Sequence, residues 1–366
     1  MWINVTKNIF ENSDFKGLNY LYQVLSYKPS GSLKPRYNIV IDTDKVKDTP
    51  NFKKLSTIEK SLVEFLDIEY SYFKTYGQKM SYKISSIKKD FHFNIEEALL
   101  FLNQPVSIIL ENNKNDAEFI LAIIKIFGND DGYNKSQEHI NNACIKFENA
   151  GGCSNIPNFV EGFLKQFKVI AAKNNKKSTD YFRGIIILDS DTEYPNQPFK
   201  HKELLIKLNN LGIDSIKVHI LEKRMMENYL PDIVYTELKE NNQNTFSKEL
   251  IDWIDAYLNL TDKQKNYINI SKGNLLSYEI PKSQGLIDFW KVSDTNISQV
   301  NYDKLNKGFK FNGFDERGNI KNENDFKNAF PLLFKKSTQP GLIERTKHQN
   351  NPNELKDILD KITALL

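Results

Sequence analysis

Cysteine is scarce in this sequence. Cys144 and Cys153 are the only two in 366 residues, which excludes a disulfide framework, and neither has the paired Cys or His spacing that a structural zinc requires. The five histidines, at positions 92, 139, 201, 219 and 348, include no two at metal-ligand spacing, which argues against a zinc hydrolase. His219, inside an apolar run, reads as a packed core residue. No apolar run approaches the ~20 residues that cross a bilayer. The opening Met1-Trp2-Ile3-Asn4-Val5 has no basic segment leading into an apolar one, so the expectation is a cytoplasmic protein with no membrane partner. Charge of one sign is also lacking: 50 Lys+Arg against 47 Asp+Glu leave +3, so any nucleic-acid surface has to be a local patch. Neither Gly-x-x-x-x-Gly-Lys-Ser/Thr nor Gly-x-Gly-x-x-Gly occurs, which leaves Gly151-Gly152 a weak phosphate-cradle candidate and the chain without a nucleotide-hydrolysing P-loop.

What is present suits a globular protein of two or three domains, with 40% apolar and 12% aromatic residues. Residues 1–104 read as a mixed, mainly helical region. Its best helix runs from Ser56 to Phe73, with Ile58, Leu62, Phe65, Leu66 and Ile68 at helical spacing, and it carries no recognisable chemistry. At Pro105 the texture changes. Val106 to Leu110 is a β-branched apolar run of the kind that fills a buried parallel strand, and it ends on Glu111. Phe119, Ile120, Ile123, Ile124 and Phe127 then recur at helical spacing before Gly128. Further strands are expected at Ala143 to Phe147, at Gly184 to Leu188 and at Ser215 to Leu221, with helices at Val160 to Phe167 and Lys202 to Leu211. Such alternation predicts a mostly parallel sheet flanked by helices, with ligands at the carboxyl ends of the strands. From residue 222 the pattern turns helical, and 236–366 reads as a C-terminal helical subdomain with loops at Gly308, Gly313 and Gly318.

Both acidic motifs fall at the predicted strand ends. Glu111 follows one strand and Asp189-Ser190-Asp191 another, so three carboxylates can face one cleft. Hard cations such as Mg²⁺ take oxygen ligands, and phosphoryl transfer uses such ions to position the nucleophile and neutralise the phosphate. Each motif alone has an ordinary structural explanation, a helix cap for Glu111 and a surface turn for the Asp pair. Their order and joint placement are more demanding.

The residues Ile108-Ile109-Leu110-Glu111-Asn112, with Asp116 and Phe119, resemble the first motif of Toprim domains. Ile187-Leu188-Asp189-Ser190-Asp191 is similar to their Asp-x-Asp motif. The segment Leu221-Glu222-Lys223-Arg224-Met225-Met226-Glu227-Asn228-Tyr229-Leu230 is similar to the stretch after the last Toprim strand of the overcoming-lysogenization-defect (OLD) nucleases. This resemblance covers residues 105–235 and departs from the family at Asn112, where many Toprim proteins have glycine. It implies a Toprim, Rossmann-like catalytic domain and a Mg²⁺-dependent endonuclease, Mn²⁺ substituting, acting on DNA before RNA. It further implies an effector of anti-phage defence controlled by a separate ATPase or sensor protein. By the same resemblance Glu111, Asp189, Asp191 and Glu227 are metal ligands, Glu111 serving as ligand or general base, and Asp116 supports a ligand or holds a second metal. Lys223 and Arg224 stand where a phosphate would approach if Glu227 faces the metal, a solvated helix face being the ordinary alternative for Lys223. An i−4 pair with Lys223 is the ordinary alternative for Glu227. Glu148 and Glu193 lie near strand ends without a motif, and Lys335, Lys336, Arg345, Lys347 and His348 form a basic cluster that is either phosphate-contacting or merely solvated.

Other readings stay open. The Asp-x-Asp also suits a sugar-nucleotide glycosyltransferase, which leaves Glu111 unexplained, or a haloacid-dehalogenase-type phosphatase, which wants threonine where Glu193 stands. A non-catalytic regulator on the same fold is the third.

Overall fold

The computed structural model describes residues 2–11, 14–26, 37–73, 82–89, 92–128, 130–276, 282–316, 319–321 and 326–366, the side chains of 130–135 excepted. Gly318, placed above in the irregular C-terminal stretch, lies outside these residues. The chain is mixed α/β, with two four-stranded sheets whose neighbouring strands all run parallel. Among the described residues no helix is long and apolar enough to cross a membrane.

The second sheet contains the expected acidic motifs. Its strands are β5 (Val106–Leu110), β6 (Ile145–Asn149), β7 (Gly184–Leu188) and β8 (Val218–Ile220), in the order β6-β5-β7-β8. The two central strands, Val-Ser-Ile-Ile-Leu and Gly-Ile-Ile-Ile-Leu, are buried throughout, because helices cover both faces. Helix Asn113–Phe127 covers one face through Phe119, Ile120, Ile123 and Ile124, and helices Ile156–Lys165 and Lys202–Asn210 cover the other through Val160, Leu164, Leu204 and Leu208. Gly184 lets β7 lie tight against β5: a Cβ there would stand 2.6 Å from the Ser107 carbonyl oxygen. The chain leaves β5 toward β6 and then crosses to β7 on the far side, so the strand order reverses between β5 and β7. A crevice at the carboxyl ends of such a pair is where α/β sheets bind ligands.

Two expected strand boundaries shift, and one helix is added. Strand β6 begins at Ile145 rather than at Ala143, which takes φ 55 just before it. Ser215–Lys217 is a 3₁₀ turn, so β8 is only Val218–Ile220. An additional helix, Asp130–Asn141, precedes β6.

The N-terminal region is helix-rich, as expected, yet it also carries a sheet that the sequence did not announce. Strands β1 (Trp2–Val5), β2 (Asn38–Val40), β3 (Tyr82–Ile84) and β4 (His92–Phe93) pair in the order β2-β1-β3-β4. None exceeds four residues, too short for a period-two pattern to be read. Its core gathers Ile3, Phe10, Leu21, Ile39 and Phe101, and reaches Phe167 and Tyr181 of the second unit. The C-terminal helices bury no separate core. One apolar cluster runs from Val106 to Leu366, with Phe119 of helix Asn113–Phe127 packed on Phe330 and Phe334.

Arg183 ties these regions together. The side chain is 1% exposed and lies against the Tyr37 ring, 4.7 Å from its centroid, with the Tyr37 hydroxyl as a hydrogen-bond partner. Its guanidinium also donates to the carbonyls of Leu102 (3.1 Å), Gln104 (2.9 Å) and Leu365 (2.6 Å). One planar fork thus satisfies the end of an N-terminal helix, the connection into β5 and the last turn of the chain. Glu354 does similar work at the other end of the sheet, accepting from His219 Nε2 (3.1 Å), the Glu222 amide (2.9 Å) and the Tyr229 hydroxyl. His219 is the buried residue expected, anchored by Glu354 and by Lys361 at 3.0 Å from Nδ1. Replacing Arg183 by Ala strands several buried carbonyls and opens a cavity, and it should lower unfolding stability by about 3 kcal/mol or more in urea denaturation. A loss below about 1 kcal/mol would show that the clamp is incidental.

Candidate active site

The carboxylates come together because three chain segments are stitched at the carboxyl edge of the second sheet. Leaving β7, Asp189 accepts from the Met226 amide through Oδ1 (3.0 Å), Ser190 Oγ donates to the Lys223 carbonyl (2.8 Å), and the Asp191 amide donates to the Arg224 carbonyl (2.9 Å). Asp191 adopts φ 54 to do so, a left-handed conformation that Asp tolerates better than most side chains. This zipper fixes the 3₁₀ turn Met226–Tyr229 beside β7 and places Glu227, 5% exposed, next to Asp189. On β5, the loop after β6 closes over the strand end, the Gly152 amide donating to the Glu111 carbonyl (3.1 Å). Asn112, the departure from the family pattern, is extended at φ −139 and caps helix Asn113–Phe127, so the turn needs no glycine. Asp116 Oδ2 accepts from the Asn112 amide (2.9 Å), which aims the carboxylate back toward Glu111.

The electrostatics show how close this gathering is. Burial, then the charges of Asp191 and Asp116, push the Glu111 carboxyl up to about 7 from an ordinary 4.5. Asp116 is raised to about 6, chiefly by burial, with the Asn112 amide opposing and Glu227 adding to the rise. Asp189 is held well above the usual carboxylate range by burial and by Glu227, Asp116 and Glu111. Glu111 Oε1 is buried with no hydrogen-bond partner.

Among the described residues a cation faces these groups that sequence reasoning missed. Lys327, on helix Phe326–Phe334, has its ammonium raised by Glu227 first and then by Asp189, Asp116 and Glu111. No motif marks it, and it reaches the site through the packing of its helix on Asn113–Phe127. Cys153 and His201 were also missed: Sγ lies 3.2 Å from His201 Nδ1, and burial with the charges of Glu111, Asp191 and Asp189 lifts the thiol to about 12.

Lys223 and Arg224 are not where a phosphate would be met. Lys223 Nζ is buried, donating to Asn266 Oδ1 (2.6 Å) and the Arg345 carbonyl (2.9 Å), and burial and Arg345 hold it well below the usual lysine range. It therefore makes no i−4 pair with Glu227. Arg224 donates to Glu193 Oε1 (3.1 Å) and the Tyr267 carbonyl (3.1 Å). The same backbone zipper that delivers Glu227 turns both cations inward. Nor do the C-terminal basic residues form one open patch: Arg345 is buried on Asn266, while Lys335, Lys347 and His348 pair with Glu118, Glu344 and Asp262. Gly151 and Gly152 offer no cradle, because their amides donate to Asn149 Oδ1 and to the Glu111 carbonyl.

Among the described residues no group of three or more His, Cys, Asp or Glu side chains forms a ready-made metal cage. The carboxylates feel one another's charge without closing on a common point. The donor chemistry nevertheless fits a hard divalent cation: the carboxylate set is all oxygen, it repels itself, and Glu111 Oε1 lacks a partner. Comparison of the chain with protein-family models, with curated proteins and with solved structures finds no match.

These shifts set a stability profile. Folded Glu111 and Asp116 hold their protons to about 7 and about 6, whereas their ordinary values are 4.5 and 3.8. Across that interval the folded state carries protons that the unfolded chain has released, so stability of the metal-free protein falls as pH rises through it. Thermal unfolding in EDTA should show a lower Tm at pH 8 than at pH 5, and Mg²⁺ should raise Tm at pH 8 far more than at pH 5. A Tm that rises with pH in EDTA and ignores Mg²⁺ contradicts the arrangement.

Proposed function

We propose that the chain is a Mg²⁺-dependent endonuclease of the Toprim, OLD-like type, hydrolysing phosphodiester bonds of DNA before RNA. The observation that carries this reading is that Glu111, Asp116, Asp189 and Glu227, from three separate segments, lie near enough at the strand-order reversal between β5 and β7 to shift one another's proton affinity. Burying mutually repelling carboxylates costs stability that no packing need explains, which is how functional sites differ from structural ion pairs.

The residues that would hold the ion are Glu111, Asp189, Asp191 and Glu227, with Asp116 in support. A bound divalent ion supplies charge neutralisation for the phosphate and a more acidic water. The rest is the chain's own work. Asp189 and Asp191 are oriented by the amide of Met226 and the carbonyl of Arg224. Glu111, half-buried and with its proton affinity raised, is the side chain that would hold a proton from the attacking water. Lys327 replaces Lys223 and Arg224 as the side chain that meets charge developing on the phosphate oxygens. Control by an ATPase or sensor partner, and a role as a defence effector, rest on the family resemblance alone.

Purified protein with Mg²⁺ or Mn²⁺ should nick or linearise plasmid DNA. Glu111→Ala and Asp189→Ala should abolish cleavage, Lys327→Ala should slow it by about 10²- to 10³-fold, and Lys327→Arg should recover part of the loss. Cleavage surviving both carboxylate substitutions would overturn the site. Inactivity on DNA and RNA with turnover of a sugar nucleotide or phosphomonoester would favour the other Asp-x-Asp enzymes, and no turnover at all a regulator.

A further inference from the structure

The second sheet ends on a regular strand edge. β6 (Ile145–Asn149) lies at that edge in continuous register with β5, and it carries neither bulge nor proline. The Val106 amide donates to the Cys144 carbonyl (2.8 Å) and the Ala150 amide to the Leu110 carbonyl (3.0 Å), so by alternation Lys146 and Glu148 turn their backbone groups toward β5. The backbone groups of Ile145, Phe147 and Asn149 point the other way, where no described strand lies. Asn113 Nδ2 approaches the Phe147 carbonyl at 3.4 Å, which leaves that oxygen a second lone pair. The opposite edge of the sheet is blunted instead: β8 is three residues long, and Glu354 and Lys361 of helix Glu354–Thr363 hold its central His219. An edge left regular pairs with a strand that fits it.

We propose that the chain pairs with a second copy of itself through β6, antiparallel and about a two-fold axis at Phe147, joining the second sheets of the two copies into one. The strand's own sequence selects that partner. Ile145-Lys146-Phe147-Glu148-Asn149 sets opposite charges on either side of Phe147. With Phe147 opposite Phe147, the outward backbone groups of Ile145 meet those of Asn149, and Lys146 stands opposite Glu148 at both positions between them. Phe147, half-buried in one copy, is covered by its counterpart. Within one chain Lys146 and Glu148 already pair at 2.8 Å, but the Lys146 side chain is 61% exposed, so that pair contributes little and the ammonium can reach a second carboxylate. On the face that carries these two side chains an apolar recess borders the strand, lined by Phe163, Phe167, Ile170 and the 82% exposed Val169, surface that a protein partner covers. Nothing in this pairing draws on the carboxylate cluster, so it stands whether or not the chain cleaves DNA.

The test uses the full chain and two charge reversals. Wild type should sediment as a dimer that dissociates on dilution, and hydrogen exchange should show residues 145–149 better protected at high concentration than at low. Lys146→Glu and Glu148→Lys should each weaken self-association at least about tenfold, because each sets like charges opposite one another across the axis. Mixed in equal amounts, the two variants should form a heterodimer of wild-type affinity, since one strand is then acidic and the other basic at both positions. A wild-type monomer at about 100 µM, which would leave the edge to a strand of another protein, overturns the proposal. So does a dimer with residues 145–149 unprotected, a pair of reversals that leave self-association unchanged, or folded variants that fail to associate on mixing. Should either variant fold poorly, sedimentation and exchange on the wild type still decide it.

Discussion

The structure turns on a repulsion. Glu111, Asp116, Asp189 and Glu227 sit close enough, and dry enough, that burial and neighbouring carboxylates raise the proton affinity of the first three, and the carboxylate of Glu111 keeps an oxygen without a partner. Like charges so placed separate unless the backbone holds them. Here it does, through the hydrogen bonds that link Asp189, Ser190 and Asp191 to Lys223, Arg224 and Met226, and through the Gly152 amide on the Glu111 carbonyl. Behind them stand the buried central strands and the Arg183 and Glu354 anchors, which fix both ends of the sheet against the flanking helices. Lys327 offsets the charge in part. A divalent cation would do so more fully, which connects the fold's energetics to the chemistry proposed for it.

The parts of this site that follow buried strands were legible in the sequence. Val106–Leu110 and Gly184–Leu188 are apolar runs that end on carboxylates, and a strand end fixes where its next residue goes. Glu227 was legible only through family likeness, because its position depends on backbone bonds between residues 189–191 and 223–226 that no local pattern announces. The same bonds explain why Lys223 and Arg224 were misplaced: neighbours of a carboxylate in sequence need not share its direction, and both turn into the polar core around Asn266 and Glu193. Lys327 was invisible for the opposite reason. It stands far along the chain on a helix whose apolar face, not its lysine, decides where it packs.

At fold level the same contrast holds. Long apolar strands separated by amphipathic helices gave the second sheet in its correct order along the chain, with errors of a few residues at β6 and β8. The first sheet escaped because its strands of two to four residues borrow their stability from the helices packed on them, and nothing in Asn38–Val40 or His92–Phe93 declares a strand in isolation. The C-terminal helices read correctly as helices, but only the structure shows that they complete the core begun by β5 and helix Asn113–Phe127.

Because the central claim concerns where a cation sits, its most direct measurement is the anomalous scattering of Mn²⁺ in crystals of the protein. The account predicts a peak bounded by the carboxylates of Glu111, Asp189 and Glu227, lost in the Asp189→Ala variant. Crystals soaked in Mn²⁺ that show no peak there, or one only at Cys153 and His201, would contradict it.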